Sequence, residues 1–137
     1  MLYFIFIVGV IFGSFYTVVG TRLPKEESIV KPGSHCDNCG HILKWYENIP
    51  LISYILLGGH CSKCKKEIPF IYLLMELLTG ALFALCYKVF GININFFISV
   101  IISSLVIIIF VSDSKYMIIN DSPLVVASIL IFLIKWY

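Results

Sequence analysis

No charged side chain occurs between Leu2 and Gly20, nor between Val89 and Ser112. Between Phe70 and Tyr87 there is one, Glu76. A fourth uncharged run, Ser122 to Ile134, is shorter and is followed by Lys135-Trp136-Tyr137. A helix crosses the hydrocarbon core of a bilayer with about 20 apolar residues, so the first three runs are long enough, or nearly so. Composition agrees: 60% of the 137 residues are hydrophobic and 13% charged, against about half and about a quarter in soluble domains. The expected fold is an all-α integral membrane protein of about four transmembrane helices. Between the first two runs lies a loop with four of the five cysteines, set as two Cys-x-x-Cys pairs, and it is expected to be a small cytoplasmic zinc-binding domain following the first helix.

Charge sets the expected orientation. Seven of the ten basic residues and five of the eight acids fall in 21–69. Lys and Arg favour the cytoplasmic side, so this loop is expected in the cytosol and the N-terminus outside. A cleaved signal peptide would carry its basic residues before the apolar run; here Arg22 comes after it. By alternation the second span runs outward to Lys88, and Gly91, Asn93 and Asn95 form an outer turn. The third span returns to Ser112, and 113–121 lies at the inner surface. The expected parts are a first helix (1–20), a zinc loop domain (21–69) and membrane helices (70–137). The net charge of only +2 says little about partners, and no nucleic-acid partner is expected.

The loop carries two Cys-x-x-Cys pairs, Cys36/Cys39 and Cys61/Cys64, with 21 residues between them. Paired knuckles of this kind supply four thiolates to one tetrahedral zinc. Four sulfurs leave no open coordination position, so the expected role is structural. Gly40 relieves crowding after the first knuckle, and Lys63, Lys65 and Lys66 offset the negative charge of a four-thiolate site. A reducing cytosol disfavours disulfides. A redox dithiol would head a helix in a βαβ unit, and c-type haem attachment needs His after the second Cys of a pair. His35, His41 and His60 remain as exposed or outer residues around the metal. Cys86, in an apolar run, is expected to be a small buried hydrophobe. Trp45 and Tyr46 are candidates for the loop core or the membrane interface. A unit this small depends on such a staple.

The chain has three aspartates, Asp37, Asp113 and Asp121. Asp113 ends a charge-free run, where an acid is costly and often functional, although polar residues also mark helix exits. Asp121 precedes Ser122-Pro123 and suits a helix start. Asp37 is expected to be solvated. Glu76 is expected to favour its helix N-terminus or to pair with a loop cation.

Together these stretches resemble the type IV prepilin leader peptidases, membrane enzymes that combine peptidase and N-methyltransferase activities. "GSFYTVVGTRLP" is similar to the family's first-helix signature. The run from Ser34 to Ile68 follows its zinc loop, "MELLTG" its second helix, and "DSKYMIIND" the segment carrying its first catalytic aspartate, at Asp113. The resemblance implies cleavage of leader peptides from prepilins and pseudopilins at the cytoplasmic face of the plasma membrane, by an aspartic protease. It also implies methylation of the new N-terminus with S-adenosylmethionine. Two aspartates would share a proton, one activating water and the other polarising the carbonyl.

The departures are specific. The family's second catalytic aspartate lies in a Gly-x-Gly-Asp motif that does not occur in these 137 residues. Arg-Tyr-Pro of the family reads Ile71-Tyr72-Leu73, Thr17 stands for an asparagine, and Asn120 for a proline. The expectation is a chain that stops before the second aspartate and does not cleave alone. It would need a C-terminal half to supply that residue. The alternative is a non-catalytic zinc-binding scaffold or degenerate family member. In leader recognition the loop acids Glu26, Glu27 and Glu47 are expected to matter.

Overall fold

The computed structural model describes residues 1–31, 33–36, 38–117 and 121–136. Asp37 and Asn120, and the side chains of Trp45 and Asn48, lie outside the described residues, and with them the readings made for Asp37, Asn120 and Trp45. Among the described residues five α-helices follow one another: α1 (Leu2–Arg22), α2 (Ile52–Leu56), α3 (Phe70–Phe90), α4 (Ile94–Tyr116) and α5 (Ser122–Trp136). Among the described residues the only β-structure is two isolated antiparallel bridges in the loop between α1 and α3. The protein is an all-helical, multi-pass membrane protein. Three segments are long and apolar enough to cross a bilayer: Leu2–Lys25, Phe70–Phe90 and Ile94–Tyr116. The apolar α5, at 15 residues, is shorter than a bilayer-crossing helix usually is.

α1 and α3 run antiparallel at very short range. A Cβ added at Gly9 would lie 2.8 Å from the Gly80 Cα, and one at Gly13 would lie 2.9 Å from the Glu76 Cα. Between apolar helices in lipid no hydrophobic force drives association, so close backbone approach at small residues takes its place. α4 packs parallel to α1, where the Tyr16 hydroxyl and Ser104 Oγ are 2.7 Å apart. Met75, Thr79 and Ile107 are the most deeply buried side chains. The outward faces stay apolar and exposed, as Phe4, Ile7, Ile11 and Phe15 do on α1. A bundle in lipid tolerates this; a soluble one would not.

The turn between α3 and α4 is shorter than the sequence suggests. Asn93 caps α4, its side-chain oxygen accepting the N–H groups of Asn95 (2.9 Å) and Phe96 (3.3 Å). Asn95 therefore belongs to the helix and not to the turn. Cys86 is only partly buried, and its sulfur faces Ser103 Oγ at 3.7 Å. Asp121 stands one residue before α5 and is exposed, its carbonyl accepting the Val125 N–H (3.1 Å). The C-terminal ends of α1 and α4 and the N-terminal end of α3 meet at one end of the bundle, under the cysteine loop.

Candidate metal centre and the cavity beneath it

The two Cys-x-x-Cys segments fold into the same hairpin twice, with the second Cys pair 25 positions after the first (36 to 61). In each, the leading Cys N–H bonds the carbonyl five residues on: Cys36 to His41 (3.0 Å) and Cys61 to Lys66 (2.9 Å). In each, its carbonyl accepts the N–H four residues on, from Gly40 (2.9 Å) and Lys65 (3.1 Å). A third rung closes each hairpin: Leu43 N–H to Ser34 O (2.8 Å) and Ile68 N–H to Gly59 O (2.7 Å). The histidine before each pair holds its own turn. His35 Nδ1 lies 3.0 Å from Gly33 O, and His60 Nδ1 lies 2.6 Å from Gly58 O. Since a carbonyl only accepts, Nδ1 carries the hydrogen in His60, whereas the His35 Nδ1 also lies 3.4 Å from an Arg22 guanidinium nitrogen, which only donates.

This duplication brings four sulfurs together. All lie within 4.8 Å of one another, with Cys36 to Cys64 at 3.7 Å and Cys39 to Cys61 at 3.9 Å. A tetrahedron of thiolates around zinc, with Zn–S about 2.3 Å, has S···S edges of about 3.8 Å. The donor set therefore fits a metal ion such as zinc, and the cysteines are free thiols. Their electrostatics fit as well. The N–H of Lys66 and the Asn38 amide draw the Cys64 thiol down to about 6. The N–H groups of Cys64 and Lys63 also lower Cys61. Cys39 receives the His41 N–H, but desolvation and the three neighbouring sulfurs outweigh it and push Cys39 up to about 11. Clustered thiolates repel one another, and a divalent cation removes that repulsion.

Glu47 joins the two hairpins. It is buried and accepts the Lys44 N–H at 2.8 Å; His41 Nε2 lies 3.4 Å away, and the Ser62 hydroxyl also bonds it. The Lys44 N–H and the Ser62 hydroxyl hold its carboxyl below the usual range. This corrects the expectation that Glu47 serves leader recognition, because its carboxylate is engaged inside the loop. Tyr46, by contrast, is exposed, with the Lys44 ammonium 5.7 Å from its ring centre.

Two residues of opposite sign dock the loop on the helices. Arg22, the only arginine in the chain, is buried at the end of α1. Its guanidinium donates to Ser28 O (3.0 Å), Ile29 O (3.4 Å) and Gly33 O (2.9 Å). Glu76 on α3 is also buried and accepts the Leu51 N–H at 2.8 Å. Leu51 has φ +60, a left-handed conformation that needs outside support. The expectation that Glu76 pairs with a loop cation is overturned: its loop partner is a backbone amide. Neither contact is visible from local pattern. The sole arginine at the end of an apolar run was the one available signal.

Between loop and helices lies a cavity of about 430 Å³, within the size range of small-molecule sites. Ser14, Thr17 and Thr21 of α1, Tyr72 and Glu76 of α3, and Lys115 and Tyr116 of α4 line it from below. His35, Leu57 and Cys61 line it from the loop side. Lys115 donates to the Tyr72 hydroxyl at 2.8 Å and lies over the Tyr116 ring, as does Lys25. The Tyr116 hydroxyl is buried without a hydrogen-bond partner among the described residues. Asp113 lies one turn from the end of α4, exposed, with its carbonyl accepting the Met117 N–H at 2.9 Å. It is outside the cavity lining.

Comparison with known proteins bears on this arrangement. A family model described as Bacterial Peptidase A24 N-terminal domain matches residues 7–90, from the second turn of α1 through both hairpins to the end of α3. A prepilin leader peptidase/N-methyltransferase of Myxococcus xanthus is 50% identical over 64% of this chain and 26% of its own length. One of Bacillus subtilis is 40% identical over 91% of this chain and 50% of its own. One of Klebsiella pneumoniae is 34% identical over 98% of this chain and 63% of its own. The chain thus spans between about a quarter and just under two thirds of these relatives. No solved structure matches it.

Proposed function

Because this chain belongs to the family of the bacterial peptidase A24 N-terminal domain, we propose that it serves prepilin leader cleavage and N-methylation, the activities in its relatives' names. The observation that carries the reading is that the family match covers both cysteine hairpins together with the Glu76 helix, which build the cavity apart from its α4 wall, Lys115 and Tyr116. The substrates are the leader peptides of type IV prepilins or pseudopilins. The protein lies in the plasma membrane with the zinc loop in the cytosol, in keeping with the basic residues concentrated there. Its parts are a first helix (1–20), a zinc loop domain (21–69) and membrane helices (70–137).

Cys36, Cys39, Cys61 and Cys64 hold a structural zinc that fixes the roof of the cavity. Asp113 supplies one of two carboxylates. In the ionised form it takes a proton from water as the water attacks the scissile carbonyl, while a protonated partner donates a hydrogen bond to the carbonyl oxygen. The partner carboxylate is the one the family resemblance implies, in a Gly-x-Gly-Asp motif that is not among these 137 residues. S-adenosylmethionine, when bound, supplies the methyl group. The cavity, with charges of both signs, aromatic rings and the unpartnered Tyr116 hydroxyl, suits a molecule of that mixed polarity.

The second reading is a non-catalytic zinc scaffold, favoured by the exposure of Asp113 away from the cavity. One assay separates the two. The chain is co-expressed with the C-terminal half of a related enzyme and a prepilin, with Asp113 intact or as Asp113→Asn. Cleavage that needs both halves and is lost in the variant supports the enzyme. No cleavage by a zinc-loaded, membrane-inserted pair favours the scaffold.

A further inference from the structure

Glu76 is a carboxylate in a membrane helix, and among the described residues no cationic side chain lies within ion-pair distance of it. An ionisable residue at this depth normally pairs or serves a ligand. Its bonds are the Leu51 N–H and the Ser14 hydroxyl, and it faces the cavity. The cations around that cavity are engaged elsewhere. Arg22 holds three loop carbonyls, Lys115 the Tyr72 hydroxyl, and Lys25 lies 4.0 Å from Glu27.

The neighbouring wall has a definite polarity. Thr17 donates its only hydroxyl hydrogen to Ser14 O (2.6 Å), and Thr21 donates its own to Thr17 O (2.8 Å) and Val18 O (3.1 Å). Ser14 gives its hydrogen to Glu76. What these three hydroxyls have left for a ligand is lone pairs. A carboxylate beside hydroxyls that can only accept calls for a cation rich in N–H donors. A primary ammonium offers three.

We propose that Glu76, with Thr17 beside it, is the seat of a substrate's α-ammonium group in this cavity. The inference rests on the proposed function, in which a peptide's new N-terminal amine is the group to be methylated. It assigns Glu76 to recognition of that amine, separately from Asp113 and the zinc ligands.

The test uses the full chain, zinc-loaded and reconstituted in lipid nanodiscs. The probe is a short apolar peptide in two forms, one with a free N-terminal amine and one with that amine acetylated. Wild type binds the free form about tenfold more tightly, the size expected for a charge-assisted contact. Glu76→Gln keeps an acceptor for Leu51 N–H and removes the charge, so it abolishes the preference without changing affinity for the acetylated peptide. Thr17→Val, which leaves Glu76 in place, reduces the preference; zinc content and helicity report that both variants fold. Equal binding of the two forms by wild type, or a preference that survives Glu76→Gln, overturns the assignment and leaves the prepilin reading intact. Binding of neither form counts against both.

Discussion

Gly40 and Lys65 occupy the same step of two repeated hairpins, and both have left-handed backbone, φ +66 and φ +58. Glycine adopts this conformation freely, whereas for a residue with a Cβ it costs about 1 kcal/mol. A Cβ at Gly40 would touch nothing within 4 Å, so the two positions differ by backbone preference alone. Lys65→Gly is expected to stabilise its hairpin by about 1 kcal/mol and to slow zinc loss to a chelator. Gly40→Lys is expected to speed it. Equal rates in all three proteins would contradict the repeat as an energetic unit.

Arg22 serves three carbonyls from one planar group. A lysine carries a single ammonium and cannot reproduce that fork. Arg22→Lys is expected to loosen the docking of Ser28, Ile29 and Gly33 by about 1–3 kcal/mol. The readout is limited proteolysis at these residues in membranes, with faster cutting in the variant and unchanged helical content. Wild-type protection in the variant would show that charge alone suffices.

Zinc affinity should follow pH in a stated direction. Thiols bind metal only after losing their protons. Between about 6, where Cys64 ionises, and about 11, where Cys39 does, the Cys39 proton must be expelled by the metal. Affinity is therefore expected to rise about tenfold per pH unit for each proton released. Below about 6 the Cys64 proton adds to the slope. Competition with a chelator of known pH dependence measures it; a flat profile would mean that the thiols are already ionised.

The Glu47 carboxyl, held down by the Lys44 N–H and Ser62, favours the folded loop at neutral pH. A carboxyl lowered by folding contributes fully above its ordinary range, and that contribution fades as pH falls through the folded value. Glu47→Gln is expected to weaken hairpin closure at pH 7 and to narrow its gap from wild type in acid. Hydrogen exchange at the His41 and Lys44 amides follows both trends. A gap that stays constant with pH would assign Glu47 a role of shape alone.

Gly13 lets α1 and α3 approach until a Cβ would sit 2.9 Å from backbone. Gly13→Ala is expected to cost about 1–3 kcal/mol through forced separation of the pair. Gly33→Ala, where a Cβ meets nothing within 4 Å, is the control and should stay within about 0.5 kcal/mol. Unfolding in mixed micelles compares them, and equal loss in both would deny the close approach.

The sequence by itself determined the spanning helices, because charge-free runs of their length have few other homes, and it marked the four sulfurs that come together, because Cys-x-x-Cys spacing is a local geometric signal. Even the repeat of the hairpins is readable once Gly33-Ser34-His35-Cys36 is set beside Gly58-Gly59-His60-Cys61. The tertiary structure alone decided what Glu76, Arg22 and Glu47 do. Glu76 looked free to find a partner of opposite charge, yet it and Arg22 bond mainly backbone groups brought from 6 to 25 residues away. A backbone amide or carbonyl has the same identity at every position, so sequence carries no mark of which one will turn toward a buried charge. That choice is made by how closely α1 and α3 pack and by where the strained Leu51 turn then falls.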